Sequence, residues 1–192
     1  MRDVHRTSRP FAVTLTALLA LGGLTAGGAA GQVSTGDVAH DAGLQWGLDR
    51  IDAPAAWERA TGEGSVIAVI DSGASLDHED LAAQLLQGTA CRDTDGDPDA
   101  CSGSAVDDDG HGTHVAGIAA AVTGNGPGIA GVAPDARILP VKVLFKACPT
   151  CQATGNAGDV SAGIRWATDR GADVINLSLG STTSLFTAMT WN

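Results

Sequence analysis

The sequence predicts an α/β fold built on a mostly parallel sheet. Three short runs, at residues 66–70, 136–145 and 173–179, predict strands, and the first is continuously apolar, as in a strand buried on both faces. Stretches of helical composition lie between them, and this alternation is typical of parallel strands joined by right-handed crossovers. With 192 residues, of which 44% are hydrophobic, the chain is long enough for one domain with a single core.

The overall charge is strongly acidic. The formal net charge is -11 at pH 7. A surface of this sign repels the phosphate backbone, so nucleic acid is not expected as a partner.

The first 30 residues have the pattern of a secretory signal peptide. Three arginines precede an apolar run, and small residues follow it: Arg2, Arg6, Arg9, residues 11–24 and residues 28–30. We therefore expect cleavage near Ala30, secretion, and no stable membrane association after removal of the signal. The alternative is a permanent membrane anchor, for which the run is short and rich in glycine.

Before the first strand, the sequence predicts a linker followed by short helical pieces. Residues 31–43 are interpreted as a short polar linker. Residues 44–60 have a weak helical rhythm that Pro54 interrupts, which predicts two short helical pieces.

The first apolar run ends abruptly at Asp71, which Ser72 and Gly73 follow. Open parallel sheets place their functional groups at the carboxyl ends of strands, so Asp71 is a candidate site residue. The alternative is that Asp71 only caps the turn that follows.

An acidic loop occupies residues 91–110. Its alternate positions carry Asp93, Asp95, Asp97 and Asp99, and oxygen ligands at such spacing can surround calcium. The loop is not an EF-hand, because Gly96 is not at the position of the invariant glycine and the closing glutamate is absent. Asp93, Asp95 and Asp97 are therefore candidate calcium ligands, with a solvated loop as the alternative.

The four cysteines form two pairs that are close in sequence, Cys91 with Cys101 and Cys148 with Cys151. In an oxidising compartment these pairs predict two local disulfides, although three connectivities are possible from sequence alone. A zinc site with four cysteine ligands is the alternative, which the long and unequal separations disfavour.

Residues 107–122, DDDGHGTHVAGIAAAV, predict a helix of small residues that can lie close against a sheet. His111 is placed at its solvent-exposed start, which suits a group that titrates near neutral pH. His114 is expected to be structural and to point into the helix packing. An Asp followed by a His in this setting supplies two members of an Asp/His/Ser relay.

The remaining elements complete the alternation. A loop over residues 123–134 leads to the second strand, in which Pro140 predicts a local irregularity. Asp159 is predicted to cap a helix over residues 160–170 that Gly171 ends, before the third strand.

Over residues 46–180 the chain resembles the subtilisin-like serine proteases, or subtilases. Four segments carry the resemblance in the family's order: VIAVIDSGASLDHEDL at 66–81, HGTHVAGIAAA at 111–121, GIAGVAP at 128–134 and DVINLSLG at 173–180. The chain order Asp, then His, then Ser is that of subtilisin.

The resemblance implies a three-layer subtilisin-like fold in which Asp71 orients a histidine and His111 is the general base. It also implies that Ser178, Leu179 and Gly180 line a cleft for a polypeptide in extended conformation. Asp80 falls where the family often has a structural calcium ligand, although the family's other ligands around residues 123–128 have no clear match here.

The chain also departs from the family pattern. No GTSMA-type serine motif and no oxyanion asparagine are recognised in the 192 residues. We therefore expect residues 44–192 to be the N-terminal part of a peptidase domain that needs a missing C-terminal half and is inactive and marginally stable alone.

The sequence is also compatible with three alternative functions. A non-catalytic peptide-binding module would keep the cleft without the chemistry. A redox protein would use the C-x-x-C of Cys148 and Cys151, which lies between a strand and a helix. A metal enzyme would use His111 and His114, but the H-E-x-x-H pattern is absent.

Overall fold

The structure is a computed structural model that describes residues 34–180, so the predicted signal peptide lies outside the described residues. At its centre is a sheet of four strands in the order β2-β3-β1-β4. All the strand pairings in this sheet are parallel, which confirms the predicted α/β class. The strands are β1 at Val66–Asp71, β2 at Thr89–Ala90, β3 at Arg137–Lys142 and β4 at Val174–Asn176.

Helices flank the sheet and precede it. Three short helices, α1 at Val38–Asp41, α2 at Trp46–Arg50 and α3 at Ala53–Trp57, come before β1. Two longer helices follow within residues 34–180, α4 at His111–Ala120 and α5 at Ala157–Asp169, and a 3-10 turn spans Pro98–Ala100.

The alternation of side chains along β1 explains why the fold has three layers. Val69 packs with Ala116 and Ala120 of α4 on one face of the sheet. Its neighbours Ala68 and Ile70 point to the other face, where they pack around Ala162 and Trp166 of α5. Ala68, Val69 and Ile70 are all fully buried. This agrees with the prediction, from the apolar run, of a strand that is covered on both faces.

Several boundaries differ from the sequence prediction. The helix α5 begins three residues earlier than expected, because Asn156 and not Asp159 is its N-cap, with the Asn156 side chain accepting from the Asp159 amide at 2.8 Å. Asp159 instead turns its carboxylate to Thr94. Strand β4 is shorter than the predicted run, and the segment interpreted as a linker contributes α1 and the buried Asp37.

Two disulfides, Cys91–Cys101 and Cys148–Cys151, join the pairs that are close in sequence. The first belongs to the core cluster under α5, and the second closes the tip of the loop after β3. Within residues 34–180, no helix has both the length and the apolar character that a membrane crossing requires.

Candidate active site

The last residue of β1 and the first residue of α4 meet at the carboxyl edge of the sheet. The Nδ1 atom of His111 lies 2.8 Å from Oδ1 of Asp71. The Asp71 side chain is fully buried, whereas the His111 side chain is 46% exposed. The imidazole is therefore fixed on the side of Nδ1 and open to solvent on its other side, as an orienting carboxylate and a general base require.

Glycine allows the backbone of α4 to approach the end of β1. A Cβ atom at Gly112 would lie 2.2 Å from the carbonyl oxygen of Gly73 and 3.2 Å from Cβ of Asp71. The amide of Gly112 donates to Oγ of Ser72 at 2.9 Å. The small residue after His111 thus brings the imidazole within reach of Asp71.

The surroundings of His111 favour its charged form. The hydrogen bond to Asp71 raises the pKa of His111 above its ordinary value, partial burial opposes this, and the charges of Asp71, Asp109 and Asp107 add to the increase. A raised pKa means that this interaction stabilises the fold fully below the unfolded-state pKa of about 6.5, and that the contribution is lost as the pH rises through the folded-state pKa.

Asp107 fixes the start of α4. Its carboxylate accepts hydrogen bonds from the amides of Asp109, Gly110 and Thr113, at 2.9, 3.0 and 2.9 Å, and from the Thr113 hydroxyl at 2.5 Å. Burial raises the pKa of Asp107, but these hydrogen bonds outweigh burial and hold the pKa far below its usual range. Gly110, with a φ of 100°, makes the turn into the helix.

We expect the Asp107→Asn substitution to lower the free energy of unfolding by about 2 kcal/mol at pH 7, because a charged acceptor of several amides is lost. A depressed carboxyl pKa stabilises the fold above the unfolded-state value of about 3.9, and the effect is lost as the pH falls through the folded-state pKa. Urea titrations at several pH values should therefore show the difference from wild type shrinking below about pH 4. Asp99→Asn, in the exposed part of the acidic loop, is the control. An equal loss in both variants would contradict the capping role.

The residues predicted to line the cleft follow β4, the neighbour of β1. The register of β1 and β4 pairs Val69 with Asn176. Asp71 lies two residues after Val69, and Ser178 lies two residues after Asn176. Ser178 is exposed, and its hydroxyl donates to Oδ1 of Asn176 at 2.8 Å. Leu179 packs partly against the core, and Gly180 is exposed. The segment therefore leaves the sheet at the same edge as Asp71.

The acidic loop does not collect its aspartates around one point. Asp93 and Asp95 adopt positive φ angles of 54° and 48°, and Asp97 accepts from the amide of Asp99 at the start of the 3-10 turn. Across residues 34–180, no cluster of three or more His, Cys, Asp or Glu side chains could hold a metal ion. Asp93, Asp95 and Asp97 are thus not brought together as a carboxylate group.

Asp80 lies in a different environment, which it shares with a residue that sequence reasoning did not single out. Asp80 and Asp37 are 2% and 0% exposed, and both carboxylates contact the loop over residues 123–129. Asp37 accepts from the amides of Gly124 and Gly126 at 2.9 and 3.3 Å. No motif marks Asp37, because it lies in a polar segment more than 40 residues before Asp80.

The same loop wraps around the carboxylate of Asp80. It accepts from the Asn125 side chain at 2.9 Å and from the Ile129 amide at 2.8 Å. A Cβ atom at Gly128 would lie 2.0 Å from Oδ2 of Asp80, so only glycine leaves room there. Among the described residues, neither Asp80 nor Asp37 forms an ion pair with a basic side chain.

Two further predictions concern His114 and the C-x-x-C of Cys148 and Cys151. His114 was expected to point into the helix packing, but it is exposed and lines an open cavity of about 360 Å³, since the buried face of α4 is formed by Gly112, Ala116 and Ala120. Cys151 lies six residues before α5, which begins at Ala157, so the start of that helix is not adjacent to the C-x-x-C.

The comparisons with known proteins identify the family of the chain. The model of the subtilase family matches residues 62–191. Thermitase from Thermoactinomyces vulgaris is 46% identical over 138 residues, which cover 72% of this chain and 45% of thermitase. An intracellular serine protease from Paenibacillus polymyxa is 42% identical, over 70% of this chain and 38% of that protein. This chain therefore spans less than half the length of these relatives.

The fold is also found among solved structures. A protease from Pseudoalteromonas arctica PAMC 21717 superposes with a TM-score of 0.63 and 35% sequence identity. The match covers 79% of this chain and 53% of that one.

Proposed function

The chain belongs to the subtilase family, and from this premise we propose that Asp71 and His111 serve peptide-bond hydrolysis in an Asp/His/Ser relay. The observation that carries the proposal is the 2.8 Å contact between a buried carboxylate and a solvent-exposed imidazole. In this relay Asp71 holds the proton on Nδ1, which leaves Nε2 free to accept the proton of a serine hydroxyl. Asp71 then stabilises the imidazolium that forms, and His111 returns the proton to the leaving amine.

The proposed substrate is a polypeptide in extended conformation. The segment that follows β4 includes Ser178, Leu179 and Gly180, and it leaves the sheet at the edge that carries Asp71. An extended peptide can pair with such a segment, like an added strand, through backbone hydrogen bonds. This placement supports a cleft in which the scissile carbonyl approaches the exposed side of His111.

We propose that the nucleophilic serine and the oxyanion asparagine come from a C-terminal half that this chain needs for activity. The hydroxyl of Ser72 accepts from Gly112 and that of Ser178 donates to Asn176, so neither is hydrogen-bonded to His111. The 192-residue chain alone is then inactive, and any function it has alone is peptide binding without turnover.

A fluorogenic peptide assay tests this proposal. The chain alone should show no turnover, whereas the chain extended by the C-terminal part of thermitase should gain turnover that His111→Ala abolishes. Labelling by a serine-directed fluorophosphonate should appear only in the extended chain. Turnover by the 192-residue chain that persists in its His111→Ala variant would contradict the proposed relay.

We also propose that the protein is secreted. The arginines and the apolar run of residues 1–30 support export, and the two disulfides fit an oxidising compartment. Fractionation of an expressing bacterial culture, with N-terminal sequencing of the product, tests both secretion and cleavage near Ala30. Retention of the uncleaved chain in the membrane fraction would favour an anchor.

We further propose a structural calcium ion at the loop over residues 123–129. Buried carboxylates are among the oxygen ligands that calcium prefers, and Asp37 and Asp80 supply two of them against the same loop. When bound, the ion would cross-link the N-terminal segment to the loop without a role in the chemistry.

We expect calcium at about 100 times its dissociation constant to stabilise the chain by roughly 2.7 kcal/mol. This should raise the Tm measured by circular dichroism, and EDTA should reverse the increase. Asp80→Asn and Asp37→Asn should remove the response, whereas Asp93→Asn in the acidic loop should retain it. A Tm that calcium does not change, or a response lost only in Asp93→Asn, would contradict a site at Asp80.

A further inference from the structure

Lys142 is a buried cation next to the candidate catalytic pair. It is the last residue of β3, and the register of the sheet pairs it with Asp71 at the end of β1. Lys142 is only 5% exposed. A lysine is rarely buried unless its charge is paired, so this position needs a specific explanation.

The ammonium of Lys142 joins three segments of the site. Its Nζ atom donates to the carbonyl oxygen of Ser72 at 2.6 Å and to Oδ1 of Asp108 at 2.7 Å. It also lies 5.0 Å from the centre of the Phe145 ring. Ser72 directly follows Asp71, Asp108 lies three residues before His111, and Phe145 lies in the loop after β3, three residues beyond Lys142.

We propose that Lys142 is a positioning residue that sets the geometry and the charge balance of the Asp71–His111 pair. One hydrogen bond holds the strand end that carries Asp71, and the other holds the loop that carries His111. This inference rests on the proposed function of the pair, because it assigns Lys142 a part in the same site.

The charges around the pair explain why a cation is useful here. Besides Asp71 itself, three carboxylates lie near the pair on the loop before α4: Asp107, Asp108 and Asp109. On the facing segments, Lys146 pairs with Asp109, and Arg92 lies 4.7 Å from the Phe145 ring. Among the described residues, Lys142 is the cation that contacts both segments of the pair. Its removal leaves Asp108 unpaired and increases the negative potential at His111.

NMR titration of His111 in the full-length chain tests the proposal without requiring catalysis. If the proposed catalytic function is wrong, turnover is absent; if the role of Lys142 is wrong, the His111 titration does not change in the Lys142 variants. The chain has five histidines, and the signal lost in His111→Ala identifies the one to follow. We expect Lys142→Met to raise the pKa of His111 by about half a unit, since a nearby positive charge disappears. Lys142→Gln keeps a donor for the Ser72 carbonyl without the charge and should give a similar rise.

Two variants serve as controls. Arg92→Met removes a cation that also lies against Phe145 but has no hydrogen bond to Ser72 or Asp108, and it should leave the titration unchanged. Lys142→Arg restores the charge and should return the pKa of His111 to within about 0.2 units of the wild-type value.

Folding is checked for each variant by circular dichroism. A folded Lys142→Met or Lys142→Gln chain with an unchanged His111 titration would overturn the proposal. An equal shift in Arg92→Met would also overturn it, because the effect would then be one of net charge. If neither neutral variant folds, the proposal is wrong as well, because Lys142 then serves the fold and not the pair.

Discussion

Alanine in place of Gly112 should lower the free energy of unfolding by about 3 kcal/mol, in the upper range for overpacking in a close-packed core. The added Cβ would lie 2.2 Å from the Gly73 carbonyl oxygen, which belongs to the backbone and cannot rotate away. The start of α4 must therefore move from the end of β1. Because His111 precedes Gly112, this movement lengthens the 2.8 Å contact with Asp71, and the pKa of His111 should fall.

The matched control is Gly117→Ala in the same helix. Its Cβ would meet only the flexible end of Ile129, at 3.4 Å. Alanine is favoured over glycine within a helix by about 1 kcal/mol, so this variant should be as stable as wild type or more so. Urea denaturation measures both changes, and the His111 signal in NMR reports the contact with Asp71. Two variants with the same stability would show that close packing at Gly112 is not what brings α4 to the sheet.

The second large effect is expected for Asp71→Asn. The substitution removes the charge that contributes most to the raised pKa of His111, so this pKa should fall by more than about one unit. In an extended chain with a serine nucleophile, turnover should fall by roughly 10⁴-fold, the size of the effect of the same change in a trypsin-like triad.

Stability should change with pH in a characteristic direction. In the wild type, the interaction of Asp71 with protonated His111 is fully present below about pH 6.5 and is lost as the pH rises through the raised pKa. The difference in unfolding free energy between wild type and Asp71→Asn should therefore be larger at pH 5 than at pH 9.

The control for this experiment is Asp159→Asn, which alters a carboxylate that is also buried but belongs to α5 and contacts Thr94. It should change the stability without changing the titration of His111. A constant difference between wild type and Asp71→Asn across the pH range would indicate that the carboxylate acts through packing and not through the charge of the histidine.

The parts of the structure that follow from local patterns could be predicted. An apolar run such as residues 66–70 is incompatible with an exposed strand, and its abrupt end at Asp71 marks the edge of the sheet where functional groups gather. The helix after His111 follows from its small residues, which pack closely against β1 and β3. The family resemblance adds the pairing of Asp71 with His111, which are 40 residues apart.

Features that depend on tertiary contacts were not predictable in the same way. Asp107, Asp108 and Asp109 are indistinguishable in a run of three aspartates, yet one caps α4 and the other two pair with lysines. Asp159 looked like an N-cap, but Thr94, a residue from a distant loop, binds its carboxylate.

For Lys142 the sequence does contain a signal. A single lysine interrupts the apolar run of residues 136–145, and a charge within a buried strand predicts a paired or functional group. Its partners, the Ser72 carbonyl and Asp108, are set by the order of the strands and cannot be read from the run itself.

The position of these contacts along the chain has a consequence for biosynthesis. The described residues that contact or hold the Asp71–His111 pair, including Lys142 and Phe145, all lie between positions 71 and 145. A nascent chain thus contains Asp71, His111 and Lys142 before the ribosome has synthesised β4. The side chain that hydrogen-bonds to Nδ1 of His111 is therefore translated before Ser178, Leu179 and Gly180.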